Sequence, residues 1–319
     1  MLTINFNLLF MIFDKFQKIN SSRVEKSVIG LTKEQFMIMS EVFTATYHEY
    51  QDQRLLNGEI RNLPKGGSIG VLNTPQKMLF FILYYMKTYC TFDVLGFTFG
   101  FSSGHAHDHI KRIFPILQRT LLAMDVLPVR TISSVEELIQ LVEKHGEIML
   151  DGVESACVRP QNDELQKARY SGKKKQHTLK TLVISNSDSR ILLVYLIAAG
   201  SVHDYNLFKQ LFDSKIPWFK DTSIFLDLGF YGANSDYGIN VKLPHKRKRK
   251  SKANQNPKLS KQQIEENANH ARTRIAVEHA IGGMKIFNCL MHRIRNHLSS
   301  IIDNFFWLSA GLWNLKKSI

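Results

Sequence analysis

Cysteine, proline and acidic charge are all scarce in this sequence. Its three cysteines, Cys90, Cys157 and Cys289, are far apart and form no CxxC spacing. That excludes a disulfide framework and a structural zinc site, and it fits a reducing compartment. Long apolar runs are missing as well. The run KMLFFILYYMK holds nine apolar residues between two lysines, against the roughly 20 that a bilayer span needs. The opening MLTINFNLLFMIFDKF has an apolar stretch but no positive n-region, and asparagines and Asp14 interrupt it. It reads as a core-docking helix rather than a signal peptide. Acids number 28 against 42 Lys and Arg, a formal charge of +14, and an excess of that size points to a polyanionic partner, most commonly nucleic acid. Apolar residues make up 44% of the 319, enough for a sizeable core and for two domains, and no internal repeat is visible.

Residues 1–146 read as a helical domain. Thr32 with Gln35 forms a capping box before QFMIMSEVFTATYHEY, and Thr74 followed by Pro75 is an N-cap with proline at the first helical position. Residues 53–73 read as a Gly-rich polar loop. After the apolar helix ending near Tyr89 come two short segments joined by a tight turn at Gly100–Ser102. Three helices with a short Gly-containing turn before the last form the pattern of a helix-turn-helix, here over about 74–120. In it the helix starting near Ser102 or Ser103 would enter a major groove, with Ser103, His105 and His107 as candidate DNA contacts.

From residue 147 to 319 the pattern changes. Ser134 with Glu137 caps a last helix that stops at Gly146. EIMLD, TLKTLVIS and ILLVYLIAA read as strands, HDYNLFKQLFDS as a helix, SIFLD as a buried strand and NVKLP as a short one. A long helix, capped by Ser260 and Gln263, runs past Lys285. The order suits an α/β domain of the ribonuclease H type: a mixed sheet with flanking helices, preceded by the all-α domain.

Phosphodiester chemistry without a covalent protein intermediate commonly uses two divalent metals roughly 4 Å apart, clamping the attacking and leaving oxygens. Hard Mg²⁺ needs convergent carboxylates. Asp151 ends the first strand and Asp227 ends SIFLD. If the two strands are parallel neighbours, both carboxylates lie side by side where α/β sheets bind ligands. Glu278 lies in the helix ARTRIAVEHAIGGMK, and Arg274 and Lys285 fall within about 40° of it. One helical face thus presents Arg, Glu and Lys, suited to a site that also holds phosphate. An Asp after a strand is often only a turn residue, and a lone helical Glu is usually solvated; the joint pattern carries the inference. Asp204 is the rival second acid, but an Asp starting a helix is an ordinary N-cap. Glu154 lies nearby.

These residues belong to a longer series. Asp151-Gly-Val-Glu, Arg159-Pro160, Tyr170-Ser-Gly-Lys-Lys-Lys with His177, Gly200-Ser-Val-His-Asp204, Asp227-Leu-Gly-Phe-Tyr-Gly and Arg274-x3-Glu278-x6-Lys285 resemble, in order, the motifs of DDE insertion-sequence transposases. The likeness is to the branch related to Harbinger elements, insertion-sequence family five, and covers roughly 147–300. It implies a ribonuclease H-like fold, a triad of Asp151, Asp227 and Glu278, and two Mg²⁺ or Mn²⁺ ions. It also implies binding to terminal inverted repeats and to target DNA, and an oligomer on that DNA. It departs at Ala271, where related proteins often carry a Tyr three residues before the helix Arg.

Two basic segments complete the picture. Lys173, Lys174 and Lys175 sit in a turn, and Lys246, Arg247, Lys248 and Arg249 lead a stretch with six basic residues in seven. Such runs release counterions from phosphates; KRKRK also reads as a nuclear localisation signal. His105 and His109, at i and i+4, have zinc spacing but no further ligand close by. The expected protein is therefore a transposase that cleaves element ends and transfers their 3′-OH to target DNA. It would work in the bacterial cytoplasm at the nucleoid, or in the nucleus of a eukaryotic host. The alternatives are a catalytically silent DNA-binding descendant and a nuclease without strand transfer.

Overall fold

The computed structural model describes residues 11–64, 70–250 and 255–319. The chain divides into two compact units, one of residues 1–127, 285–292 and 296–319, the other of 128–284 and 293–295.

The first unit is helical. It opens with α1 (Met11–Gln17), α2 (Ser22–Ile29) and α3 (Lys33–Leu56). Of the expected N-terminal docking helix, residues 1–10 lie outside the described residues. Within α1, Phe13 and Phe16 do dock, each packing on both Phe36 and Phe80. The Thr32–Gln35 capping box forms. The expected loop from 53 begins later, because α3 continues to Leu56.

The three-helix pattern appears as α4 (Pro75–Thr88), α5 (Phe92–Phe99) and α6 (Ser103–Ala123). Thr74, Thr91 and Ser102 each cap their helix through the side-chain oxygen. Gly100 closes α5 in the left-handed region at φ 76, and the N–H groups of Gly100 and Phe101 both reach back to the Gly96 carbonyl. The turn therefore folds onto α5 at Gly96, where a Cβ would stand 2.5 Å from the Phe101 carbonyl oxygen.

The second unit opens with α7 (Val135–His145), whose Leu138 shares a core with Ile148, Leu150 and Phe208. The units thus divide the chain differently from the expected boundary at 146. The strands are β1 (Ile148–Ala156), β2 (Tyr170–Ser171), β3 (Gln176–Asn186), β4 (Ile191–Val194), β5 (Ala198–Ala199), β6 (Ile224–Phe225) and β7 (Val241–Lys242). They form one mixed sheet of order β2-β3-β1-β6-β7, with β4 and β5 also on β3. β1 runs antiparallel to β3 and parallel to β6, which is parallel to β7. The sheet separates two apolar clusters by strand parity. Ile148 and Leu150 face the larger, with α7 and α9 (Asp204–Leu211). Met149 faces the smaller, with Ala276 and Val277 of α11 (Lys261–Met284). A mixed sheet covered by helices, preceded by a helix-turn-helix, is the architecture the pattern predicts.

Several boundaries differ from expectation. β1 does not end at Asp151 but runs on to Ala156, because β3 pairs with it over its whole length. ILLVYLIAA splits into β4 and β5, both on β3. The sequence pattern also omits α8 (Asp163–Arg169) and α10 (Ala233–Tyr237). α11 stops at Met284, just after the poor helix formers Gly282 and Gly283, so Lys285 lies beyond the helix and in the first unit. That unit is completed by α12 (Asn288–Met291) and α13 (Ser299–Ser318); Gly311 of α13 lets Leu121 approach closely.

Candidate active site

Register decides where the acids stand. β1 pairs with β6 as Ile148↔Ile224 and Met149↔Phe225. Asp151 and Asp227 each lie three residues beyond Ile148 and Ile224, so the parallel pairing carries Asp151 within β1 and Asp227, two residues past the end of β6, toward one region, where the Asp227 charge acts on the Asp151 carboxyl. Parity sends both side chains to the face that carries Met149, Phe225 and α11. Beyond Phe225 the chain leaves the sheet, and Asp227 caps a 3₁₀ turn, Leu228–Phe230, by accepting from the Gly229 N–H at 2.8 Å.

α11 lies across this face and supplies the counter-charge. Arg274 Nη2 donates to Asp151 Oδ2 at 2.5 Å, and the two side chains are 12% and 25% exposed. Asp151 Oδ1 accepts from the Gly152 N–H. Burial raises the Asp151 carboxyl above its ordinary value; Arg274 and the Gly152 N–H pull it down, and Asp227 and Asp204 push it up. Arg274 Nε is buried without a partner. One turn earlier, His270 Nε2 donates to the Lys242 carbonyl, 3.1 Å away, and its ring packs on Phe225. Burial lowers the His270 pKa, so the imidazole is biased to neutrality.

The opposite face of β1 carries a second polar cluster. Lys180, buried in β3, bonds Asp204 Oδ1 at 3.1 Å, and Thr178 donates to Glu154 at 2.5 Å. The Asp204 carboxyl lies directly over Gly152, where a Cβ would meet its carbon at 3.3 Å. Asp204 is not the N-cap that the sequence suggests. His203 holds that position, and Asp204 is the first helical residue, free to pair with Lys180.

The structure therefore pairs Asp151 with Arg274 and places Asp227, and Asp204 from the opposite face of β1, near enough for their charges to act on the Asp151 carboxyl. Glu278 lies one turn beyond Arg274 on α11 and is exposed. Among the described residues no three His, Cys, Asp or Glu side chains converge closely enough to hold a metal. The donor chemistry nonetheless suits a divalent cation: Asp151 and Asp227, both half-buried, offer hard carboxylate oxygens.

The remaining candidates spread over both units. Lys173, Lys174 and Lys175 are exposed in the β2–β3 turn, and His177 packs edge-on against Tyr170. Lys246, Lys248 and Arg249 are exposed, while Arg247 Nε donates to the Pro257 carbonyl at 2.6 Å; Lys252 lies outside the described residues. In α6, His105 is exposed, Ser103 and His107 are half-buried, and His107 leans on Phe92. His109 sits between Phe81 and Phe101, 2.7 Å from Arg112, and burial lowers its pKa to about 4. Lys180 and His270 are absent from the sequence-based candidates. A lysine inside the apolar strand TLKTLVIS was the available signal for the first, and the i, i+4 spacing to Arg274 for the second.

Comparison with known proteins places this geometry. A family profile described as DDE superfamily endonuclease matches residues 150–314, from β1 through α11 and beyond. The chain belongs to the DDE superfamily of endonucleases. Its α4–α6 segment matches a second profile, the helix-turn-helix of DDE superfamily endonuclease, over residues 71–122. The chain is also similar to a probable transposase for insertion sequence element IS702 from Microchaete diplosiphon, 27% identical over 93% of this chain and 99% of that protein. No solved structure matches. Among the described residues of the endonuclease, no helix is long and apolar enough to cross a membrane.

Proposed function

We propose that this endonuclease is a transposase that binds terminal inverted repeats, cleaves the element ends and transfers the freed 3′-OH ends to target DNA. The observation that carries the proposal is the parallel pairing of β1 with β6, the segments that lead to Asp151 and Asp227, with Arg274 of α11 bonded to Asp151. Asp151, Asp227 and Glu278 would hold two divalent cations, Mg²⁺ or Mn²⁺. Bound there, such ions supply Lewis-acid stabilisation at phosphorus and a more acidic nucleophile. Arg274 orients Asp151 and presents guanidinium charge to a phosphate arriving beside it. Asp227 is fixed at the strand end by the Gly229 N–H. Lys180 and Asp204 back the strand from behind at Gly152. Cleavage and joining are both in-line displacements at phosphorus, so one set of side chains serves both.

The helix-turn-helix supplies DNA recognition through the exposed start of α6, with Ser103, His105 and His107 at or near the contact. The runs 173–175 and 246–249, with His177, bind the DNA backbone. Joining two ends requires a homo-oligomer assembled on DNA, acting where the chromosome lies: at the nucleoid in the bacterial cytoplasm, or in the nucleus of a eukaryotic host.

Purified full-length protein, given its own flanking repeats with Mg²⁺, Mn²⁺ or EDTA, tests this. Metal-dependent nicks at the repeat ends, lost in Asp151→Asn, Asp227→Asn and Glu278→Gln, followed by joined products, are the expected result. Nicks without joined products would identify a nuclease lacking strand transfer. Tight binding without any cut in either metal would identify a DNA-binding relative and end the catalytic assignment.

A further inference from the structure

A cleft of about 520 Å³ lies in the second unit between β7 and the N-terminal half of α11. That is the size of a small-molecule site. Its apolar wall is Phe225, Ile239, Val241 and Leu243, and the imidazoles of His245 and His270 face it. Its lining neighbours the candidate active site along the chain: Phe225 is two residues from Asp227, and Thr273 adjoins Arg274.

The edge strand beside this cleft is already satisfied. The Lys242 carbonyl is bonded by His270, and the N–H and C=O of His245 are both bonded by the Asn267 amide. A peptide adding itself as a further strand would find these groups taken. What the rim offers instead is positive charge and an aromatic ring. Lys246 to Lys250 leave the cleft as an exposed basic run. Tyr231, four residues after Asp227, is 61% exposed, and Lys246 Nζ sits 4.0 Å from its ring centre, steadying one face. Near the mouth, Asn234 presents an exposed amide.

We propose that this cleft takes one unpaired nucleotide of the DNA strand adjoining the scissile phosphate. The base would enter the apolar wall or stack on Tyr231, and the backbone would lie along the Lys246–Lys250 run. A duplex keeps its base faces stacked; only a nucleotide that has left the helix offers a π-face and edge to a cleft of this kind, and apolar walls with a few amides suit a base. The inference rests on the transposase reading only in taking terminal-repeat DNA as the bound species.

The test uses the full-length chain in EDTA and terminal-repeat oligonucleotides labelled for anisotropy, either fully paired or with three unpaired nucleotides at the cleavage end. A 2-aminopurine placed in the unpaired stretch reports stacking by quenching. The end with unpaired nucleotides should bind about tenfold more tightly, in line with base–aromatic stacking, and its 2-aminopurine should be quenched on binding. Tyr231→Ala and Asn234→Trp should each erase preference and quenching, while Tyr231→Phe keeps both. The preference is a ratio of two affinities of one protein preparation, so a reduced folded fraction does not move it. Equal binding of the two DNAs, or a preference that survives both disruptive variants, overturns the proposal. Metal-dependent nicking without the preference removes the cleft and leaves the transposase reading; the preference without nicking does the reverse.

Discussion

Replacing Arg274 with Ala should destabilise the endonuclease through Asp151, and a double-mutant cycle isolates the effect. The pair is largely shielded, with Arg274 12% and Asp151 25% exposed. Removing one partner of a fully buried pair costs about 3–5 kcal/mol. Solvent at Asp151 discounts this to about 2.5 kcal/mol for Arg274→Ala at neutral pH. Asp151→Asn keeps an acceptor for the guanidinium and removes repulsion from Asp227 and Asp204, so it should cost only about 0.5 kcal/mol. In the double variant no buried carboxylate is left uncompensated. Its loss should be about 1.5 kcal/mol, roughly half the sum of the singles. Chemical denaturation monitored by tryptophan fluorescence at pH 7.5 in EDTA measures all three. The pH dependence has a definite sign. The Asp151 carboxyl is already raised in the folded state, and losing Arg274 raises it further. Its penalty is therefore absent below the unfolded carboxylate pKa and grows as pH rises through the folded one. Additivity of the two substitutions within about 0.5 kcal/mol, or a deficit that does not shrink on acidification, would refute the assignment of Arg274 as the group that balances Asp151.

Other outcomes follow from single contacts. With its pKa lowered to about 4, His109 stays neutral in the folded helix-turn-helix. The stability it permits is complete above about pH 6.5 and is lost as pH falls toward 4, by about 1–2 kcal/mol after discounting for exposure; thermal melts of His109→Gln should show a flatter acid limb. Gly200→Ala should cost about 3 kcal/mol or more, because its Cβ would collide with Thr178 and lie 2.8 Å from the Arg169 carbonyl oxygen. Gly152→Ala meets only the Asp204 carboxyl at 3.3 Å and should cost about 1–2 kcal/mol by the same melts; equal losses would show that the strand yields. Lys248→Ala and Arg249→Ala should each lower the slope of log binding constant against log salt by about 0.9 per lost phosphate contact; an unchanged slope removes that residue from the DNA interface.

The parallel neighbourhood of the segments that carry Asp151 and Asp227 was legible because local patterns expose the two strands. An apolar run ending in Asp, met twice, marks two strands, and the structure pairs those strands, β1 and β6, in parallel. The helix-turn-helix was legible for the same reason: Thr74 before Pro75 and the turn at Gly100–Ser102 are local signals, and the Thr74 cap forms where it was expected. What escaped depends on cross-strand partners and parity. Asp204 looks like a helix cap from its neighbours alone, and becomes part of the site only because β3 brings Lys180 beneath it and β1 has no side chain at Gly152 to keep it away. Asp151 likewise reads as the last residue of EIMLD, yet β3 carries the strand five residues further. The glycine of Asp151-Gly-Val-Glu is thus best understood sterically. It allows a carboxylate from the opposite face to approach the strand at the point where Asp151 leaves it. A substitution there acts first on the Asp204–Lys180 pair and only through it on the acid next door.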